Sequence, residues 1–184
     1  MNKTFWGGRG HRHLRTAAFC AGMFGVAHTA AALTICKVSA TGMAFGSYQP
    51  LNFPGKLTSV DVASTADVTV ECIGLLSLGG FSLALGPGTY GPGDRISTRY
   101  LQNTTNGGAE MAYNIYKDAS YSSVWGNDTA GSKIVGFSAD LLCILGICTK
   151  KYTVYGKVPS SQNTLKAGSF SDTLTITLTY SPLL

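Results

Sequence analysis

The sequence predicts an all-β protein, a sandwich of two aligned antiparallel sheets. Three observations predict this class. Short segments alternate apolar and polar residues, clusters of Gly, Pro, Asn and Asp separate them, and no stretch shows the 3.6-residue period of a helix. About seven or eight short strands fit this spacing. The charged fraction of 12% and the apolar fraction of 45% suit a compact domain and argue against disorder.

The clearest strand lies at residues 173–180, where Thr alternates with four apolar residues, Leu174, Ile176, Leu178 and Tyr180. Such a strand buries one face and exposes the other. Residues 67–72 alternate in the same way, and residues 111–116 and 152–155 are rich in strand-forming side chains. Turns are predicted at residues 86–88, 91–93, 106–108 and 126–128.

The first 32 residues are predicted to be a secretory signal peptide, followed by one domain at residues 33–184. Basic residues precede an apolar stretch at residues 16–27, and small residues follow it up to Ala32. A membrane anchor is the alternative. The apolar run of about a dozen residues is shorter than the roughly 20 that span a bilayer, so we expect export without stable membrane insertion.

The net charge of +5 does not indicate nucleic-acid binding. Four of the 14 Lys and Arg residues lie in the leader, at Lys3, Arg9, Arg12 and Arg15, which leaves ten basic residues against nine acidic ones. The remaining chain is therefore close to neutral and lacks the basic footprint of a nucleic-acid binder.

An enzymatic function is not predicted. Of the three His residues, His11 and His13 lie in the predicted leader, and His28 remains only if cleavage falls after Ala27. With at most one His, at its start, the domain is not expected to form a Ser-His-Asp or Cys-His unit. Carboxylates such as Asp94, Glu110 and Asp140 could form a glycosidase pair, but scattered acidic residues at turns usually cap loops. No metal site or cofactor is predicted.

Four cysteines follow the leader, Cys36, Cys72, Cys143 and Cys148. An even number in an exported chain indicates two disulfides with three possible connectivities. We favour Cys36–Cys72, which would join two early strands, and Cys143–Cys148, which would close a short loop. A zinc site at the second pair is the alternative, but no further Cys or His cluster supplies its other ligands.

Two segments, residues 73–78 and 141–148, carry more Leu and Ile than connecting loops usually do. They are either buried strand segments or exposed apolar tips that bind another surface. The second interpretation makes six residues candidates for adhesion: Leu75, Leu76, Leu78, Leu142, Ile144 and Leu145.

Several segments together resemble the spore coat protein U domain family, which includes subunits of archaic chaperone–usher pili. The first are Cys36-Lys-Val38, Met43-Ala-Phe-Gly-Ser-Tyr-Gln-Pro50 and Val68-Thr-Val-Glu-Cys72. The central stretch of the family is similar to Ala112-Tyr-Asn-Ile-Tyr-Lys-Asp118 and Trp125-Gly-Asn-Asp128, and its end is similar to Tyr152-Thr-Val-Tyr-Gly-Lys-Val-Pro159 and the Thr-rich last strand. These pieces span nearly the whole predicted domain.

The resemblance implies an incomplete immunoglobulin-like sandwich whose missing strand is lent by a periplasmic chaperone and then replaced by a neighbouring pilus subunit. Secretion through an outer-membrane usher would place the protein in a fibre on the cell surface. The physical basis is strand addition at a sheet edge, with alternate side chains filling an apolar groove. The expected groove residues are Ile35, Val38, Phe45, Leu174, Ile176, Leu178 and Tyr180.

The sequence departs from the family pattern before its first cysteine. Shaft subunits carry a donor segment of about ten or more residues there, longer than an ordinary strand. Cleavage after Ala32 would leave only Leu33-Thr-Ile35 here, and cleavage after Ala27 would leave eight residues. This shortage favours a terminal, adhesive position in the fibre. The alternative function is a secreted adhesion module that does not polymerise.

Overall fold

The computed structural model describes residues 34–52, 58–73, 76–137 and 147–182, all of which belong to one compact unit, residues 31–184. The predicted signal peptide lies outside these residues. The described chain contains nine strands and no helix, so it also holds no helix long and apolar enough to cross a membrane. The strands are β1 (Ile35–Ala40), β2 (Val62–Ile73), β3 (Leu76–Leu85), β4 (Arg99–Asn103), β5 (Glu110–Tyr116), β6 (Val135–Phe137), β7 (Ile147–Val158), β8 (Phe170–Ser171) and β9 (Ile176–Pro182).

The strands form two antiparallel sheets. The larger, which we call the main sheet, has the order β1-β2-β7-β5-β4-β8. The small sheet has the order β6-β3-β9. The predicted all-β class with two antiparallel sheets is therefore confirmed, and the four predicted turn clusters all lie between strands.

The core lies between the inward faces of the two sheets. In β2, the alternate residues Ala66, Val68, Val70 and Cys72 are buried, because the period of two directs every second side chain inward. Phe81, Leu83 and Leu85 of β3 face them from the small sheet. Trp125 lies in the same cluster, and its indole N–H donates to the main-chain oxygen of Leu83 over 3.0 Å.

The outward face of the main sheet is polar and carries two cross-strand ion pairs, Lys37 with Glu71 and Lys151 with Asp67. The hydrogen bond from Lys151, followed by that from Thr153, lowers the pKa of Asp67. Pairs this exposed stabilise a fold little, typically by about 0–1 kcal/mol. Their importance is that they identify which residues of β1 and β2 face outward.

One of the two apolar segments belongs to a strand. Leu76 and Leu78 open β3 directly, so they are not the tip of a loop. The strand assignment therefore applies to Leu76 and Leu78. Leu75 and residues 141–146, including Leu142, Ile144 and Leu145, lie outside the described residues.

Candidate strand-acceptor groove

Two strands at the edges of opposite sheets bound the candidate site. β1 is the last strand of the main sheet and pairs with β2, whereas β9 is the last strand of the small sheet and pairs with β3. Within the described residues, each has one backbone edge without a strand partner. An unpaired edge presents free N–H and C=O groups to any incoming extended chain.

The inward face of β9, together with Leu174 just before it, is only partly covered. Leu174, Ile176, Leu178 and Tyr180 are half-buried and pack against the core, while the Thr residues between them are exposed. The inward residues of β2, by contrast, are almost completely buried. The alternation predicted for this strand is confirmed, but its apolar face still has solvent access.

An apolar cavity of about 1070 Å³ lies beside this face. Residues 40–51 line one side, residues 165–172 with Leu174 and Ile176 line the other, and core residues such as Val68 and Trp125 form the floor. Cavities that bind small ligands are usually about 300–1,000 Å³, so this one is slightly larger than that range. Its size, its apolar floor and its position at the start of β9 suit the entry of an extended peptide.

The groove between β1 and β9 is divided into an open half and a closed half. In the open half, Phe45, Leu174 and Ile176 line the cavity. In the closed half, Val38, Leu178 and Tyr180 pack against the core and are not part of the cavity lining. There the hydroxyl of Tyr180 donates to the main-chain oxygen of Thr34 over 3.3 Å, so the two strands are in contact.

Ile35 does not lie in the groove. It is 59% exposed on the outward face of β1, opposite Ile73 of β2, which is 71% exposed. Because side chains alternate along a strand, the inward positions of β1 are Cys36 and Val38, and Ile35 is directed away from them. Ile35 therefore lies on the face of β1 opposite to Cys36 and Val38.

Residues 40–51 form the first wall, which is held against the main sheet. Thr41 donates its amide to Asp67 and accepts the amide of Asp67 on its hydroxyl. The hydroxyl of Tyr48 donates to the oxygen of Pro159 over 2.8 Å and accepts the amide of Gln162. These bonds fix an extended segment that belongs to no strand.

Close packing also holds this wall. Gly156 of β7 lies under it, and a Cβ placed there would be 2.1 Å from the sulfur of Met43 and 2.8 Å from the ring of Phe45. A glycine is needed at this position because two large side chains of the wall approach the backbone of the sheet.

Polar side chains hold the second wall. Asn103, which is buried, donates to the oxygens of Lys166 and Ala167. Asp172 accepts the amide of Thr89 and, over 2.7 Å, the hydroxyl of Tyr113. Burial and this hydrogen bond raise the pKa of Tyr113 well above its ordinary value, which keeps the hydroxyl protonated as a donor.

A buried cation lies behind the groove. Arg99 is 0% exposed, and its guanidinium donates to the oxygens of Gly86 and Trp125 and to the side chain of Asn114. Burial lowers the pKa of Arg99 below its ordinary value. The electrostatic influence of Tyr113, Asp172 and Asp94 opposes this shift but does not cancel it. The guanidinium thereby joins the turn after β3, strand β5 and the loop that carries Trp125.

Comparison with known proteins agrees with this architecture. The family model of the spore coat protein U domain matches residues 21–177, which is most of the chain. The chain belongs to the spore coat protein U domain family. A search of curated proteins finds no match. The family comprises structural proteins of exported surface coats and fibres, which gives this chain a general role in a surface fibre.

The family motif at residues 43–50 has a structural explanation in this chain. Met43, Phe45 and Tyr48 direct their side chains toward the core and form the first wall, and Gly46 has a positive φ of 69°. From the sequence, these positions are distinguished only by the family resemblance. Their role as a wall depends on contacts with Gly156 and Pro159, which lie more than a hundred residues further along the chain.

The Cys36–Cys72 disulfide is present and joins β1 to β2 across a register pair. It fixes the edge strand that borders the groove. Cys148 is also disulfide-bonded, but Cys143 lies outside the described residues, so the Cys143–Cys148 pairing stays a prediction.

The described residues hold no group of three or more Cys, His, Asp or Glu side chains arranged for a metal ion. Asp94, one of the carboxylates considered for catalysis, accepts the amides of Ile96 and Ser97, and these bonds lower its pKa. It therefore caps a turn. Asp140 lies outside the described residues.

Proposed function

We propose that this protein is a fibre subunit that accepts a donor strand in the groove between β1 and β9. The observation that carries the proposal is the apolar cavity beside the half-buried face of β9. An extended segment would pair with the free backbone edge of β9. Its alternate apolar side chains would then cover Leu174, Ile176 and Leu178.

The proposed assembly route is that of a chaperone–usher fibre. A periplasmic chaperone lends the first strand, an outer-membrane usher passes the subunit to the surface, and another pilus subunit supplies the final strand. The groove supports this route because an uncovered apolar face favours aggregation unless a partner protects it. The Cys36–Cys72 bond is in keeping with folding in an oxidising compartment.

The chaperone dependence gives the first prediction. Exported alone, the subunit is expected to aggregate or be degraded, because the face of β9 is uncovered. Co-expression with its periplasmic chaperone should yield a soluble one-to-one complex, measured by size-exclusion chromatography of periplasmic extracts. Deletion of the chaperone strand that enters the groove serves as the control and should abolish the rescue. A stable, soluble monomer obtained without chaperone would contradict the proposal.

We also propose that the subunit occupies a terminal position, where it accepts a strand and donates none. Immunogold labelling should then place a single label at the distal end of each fibre. Label repeated along the shaft would contradict this position.

If the tip is adhesive, replacing Leu142, Ile144 and Leu145 with Ser should reduce attachment to a surface without reducing the number of fibres.

A further inference from the structure

The two halves of the groove present different obstacles to an inserting strand. In the open half, the cavity beside Leu174 and Ile176 already provides space for apolar side chains. In the closed half, Val38 and Leu178 pack against the core, and Tyr180 bridges to Thr34. A strand can therefore enter the open half without moving the walls, but it must separate β9 from β1 to go further.

The start of β1 is the fixed side of this contact. All six residues of β1 pair with β2, and the disulfide from Cys36 to Cys72 adds a covalent link two residues after Thr34. Moving Thr34 away from Tyr180 would strain both. The displacement must therefore come mainly from β9.

The end of β9 is held less regularly. Its ladder with β3 is continuous from the Leu85–Ile176 pair to the Phe81–Tyr180 pair. Beyond Tyr180 the register shifts, and the next pair is Leu76 with Pro182. Tyr180 is thus the last residue of the regular ladder between β9 and β3. Moving this end of β9 away from β1 therefore breaks fewer backbone hydrogen bonds to β3 than moving an earlier part of the strand.

We propose that the hydrogen bond from the Tyr180 hydroxyl to the Thr34 main-chain oxygen is a latch on the closed half of the groove. The inference rests on the proposed function, and it adds an order of events. An inserting strand first fills the open half beside Leu174 and Ile176. It then breaks the latch, separates β9 from β1 and covers Leu178. The latch keeps part of the core closed until a strand is already engaged.

The latch can be tested with synthetic peptides that alternate valine and threonine and carry a fluorescein label. The long peptide has about nine residues, matching residues 174–182 at ~3.3 Å per residue, and the short one has about four, matching residues 174–177 of the open half. Association is followed by stopped-flow fluorescence anisotropy with the oxidised chain in saturating excess over the labelled peptide, and the chain is freshly refolded so that the measurement precedes its aggregation. The variant is Tyr180→Phe, which removes only the hydroxyl. The matched control is Tyr155→Phe on the outward face of β7.

With the long peptide, Tyr180→Phe is expected to accelerate the slow phase about twofold to threefold, the lower end of the effect of removing one hydrogen bond, because its O···O distance of 3.3 Å is long. The short peptide should bind all three proteins at the same rate, since it does not reach the latch. Tyr155→Phe should behave like the unaltered protein with both peptides.

The outcomes separate the latch from the groove. If neither peptide binds any of the proteins, the proposed function itself is contradicted. If both peptides bind but Tyr180→Phe leaves the long-peptide rate unchanged, the groove stands and the latch is wrong. Equal acceleration of both peptides would mean a general loosening of the domain, which also overturns the latch.

Discussion

Replacing Ile176 with Asp is expected to abolish strand binding while leaving the subunit folded. Ile176 lines the open half of the groove and is half-buried before any strand enters, so the free subunit can keep the new carboxylate hydrated. A bound strand would bury that carboxylate against apolar side chains without a partner, which is strongly unfavourable. We expect at least about a 100-fold loss of affinity, or roughly 2.7 kcal/mol.

The control for this variant is Thr177→Asp, on the exposed face of the same strand. It introduces the same charge one residue away and should bind the nine-residue valine–threonine peptide nearly as the unaltered protein does. Fluorescence anisotropy titrations of freshly refolded subunits give both affinities, and circular dichroism recorded before aggregation shows whether either variant is misfolded. Equal affinity for the two variants would contradict a groove that is filled at Ile176.

The loss caused by Ile176→Asp should also depend on pH. Burial favours the neutral form of a carboxyl group and raises its pKa in the bound state. Acidification from about pH 7 to about pH 4 therefore neutralises the group and should recover part of the affinity. Thr177→Asp, which stays in water, should show no such recovery.

The alternation of residues predicted which face of each strand points inward, but not how completely that face is covered. Residues 67–72 and 173–180 share the same pattern. Yet Val68 and Val70 are almost fully buried, whereas Ile176 and Leu178 are only half-buried. Coverage depends on which strands lie opposite and alongside, and those strands are distant in the sequence. Only the family resemblance suggested a missing partner for the last strand.

Polar residues behind the groove were not predicted, because nothing in their local pattern marks them. Arg99 looks like a surface residue beside a turn, and its acceptors at Gly86 and Trp125 lie 13 and 26 residues away. Asn103 lies at the end of β4 next to a turn, yet it is buried and holds the second wall. Burial of such groups depends on long-range hydrogen bonds that a sequence period does not record.

The buried guanidinium of Arg99 gives the largest expected effect on stability. It provides hydrogen bonds to the oxygens of Gly86 and Trp125 and to the side chain of Asn114. Among the described residues it forms no ion pair within 4.0 Å, so these dipolar acceptors are what compensate its burial. Arg99→Met would remove the charge but leave the acceptors buried without their donor.

We expect Arg99→Met to lower the free energy of unfolding by roughly 3 kcal/mol or more, because three buried acceptors lose their donor at about 1–3 kcal/mol each. Arg99→Lys should recover only part of this loss, because one ammonium cannot reproduce the planar fork of donors. Urea denaturation of the chaperone-free, strand-complemented subunit provides the measurement. It uses the nine-residue peptide at saturation, so that all variants are compared in the complemented state.

Arg95→Met is the matched control, since Arg95 is less buried and makes a single hydrogen bond, to the oxygen of Thr89. Arg95→Met should lower the free energy of unfolding by less than about 1 kcal/mol, as for most partly exposed substitutions.

Arg99→Met should also weaken peptide binding in the groove. Arg99 holds Trp125, which lines the cavity, and Gly86, whose amide donates to Thr175 beside the open half. Peptide affinity is therefore expected to fall together with stability in Arg99→Met and to stay unchanged in Arg95→Met. If Arg99→Met is as stable as the unaltered protein, apolar packing alone suffices at this position, and the guanidinium does not support the groove.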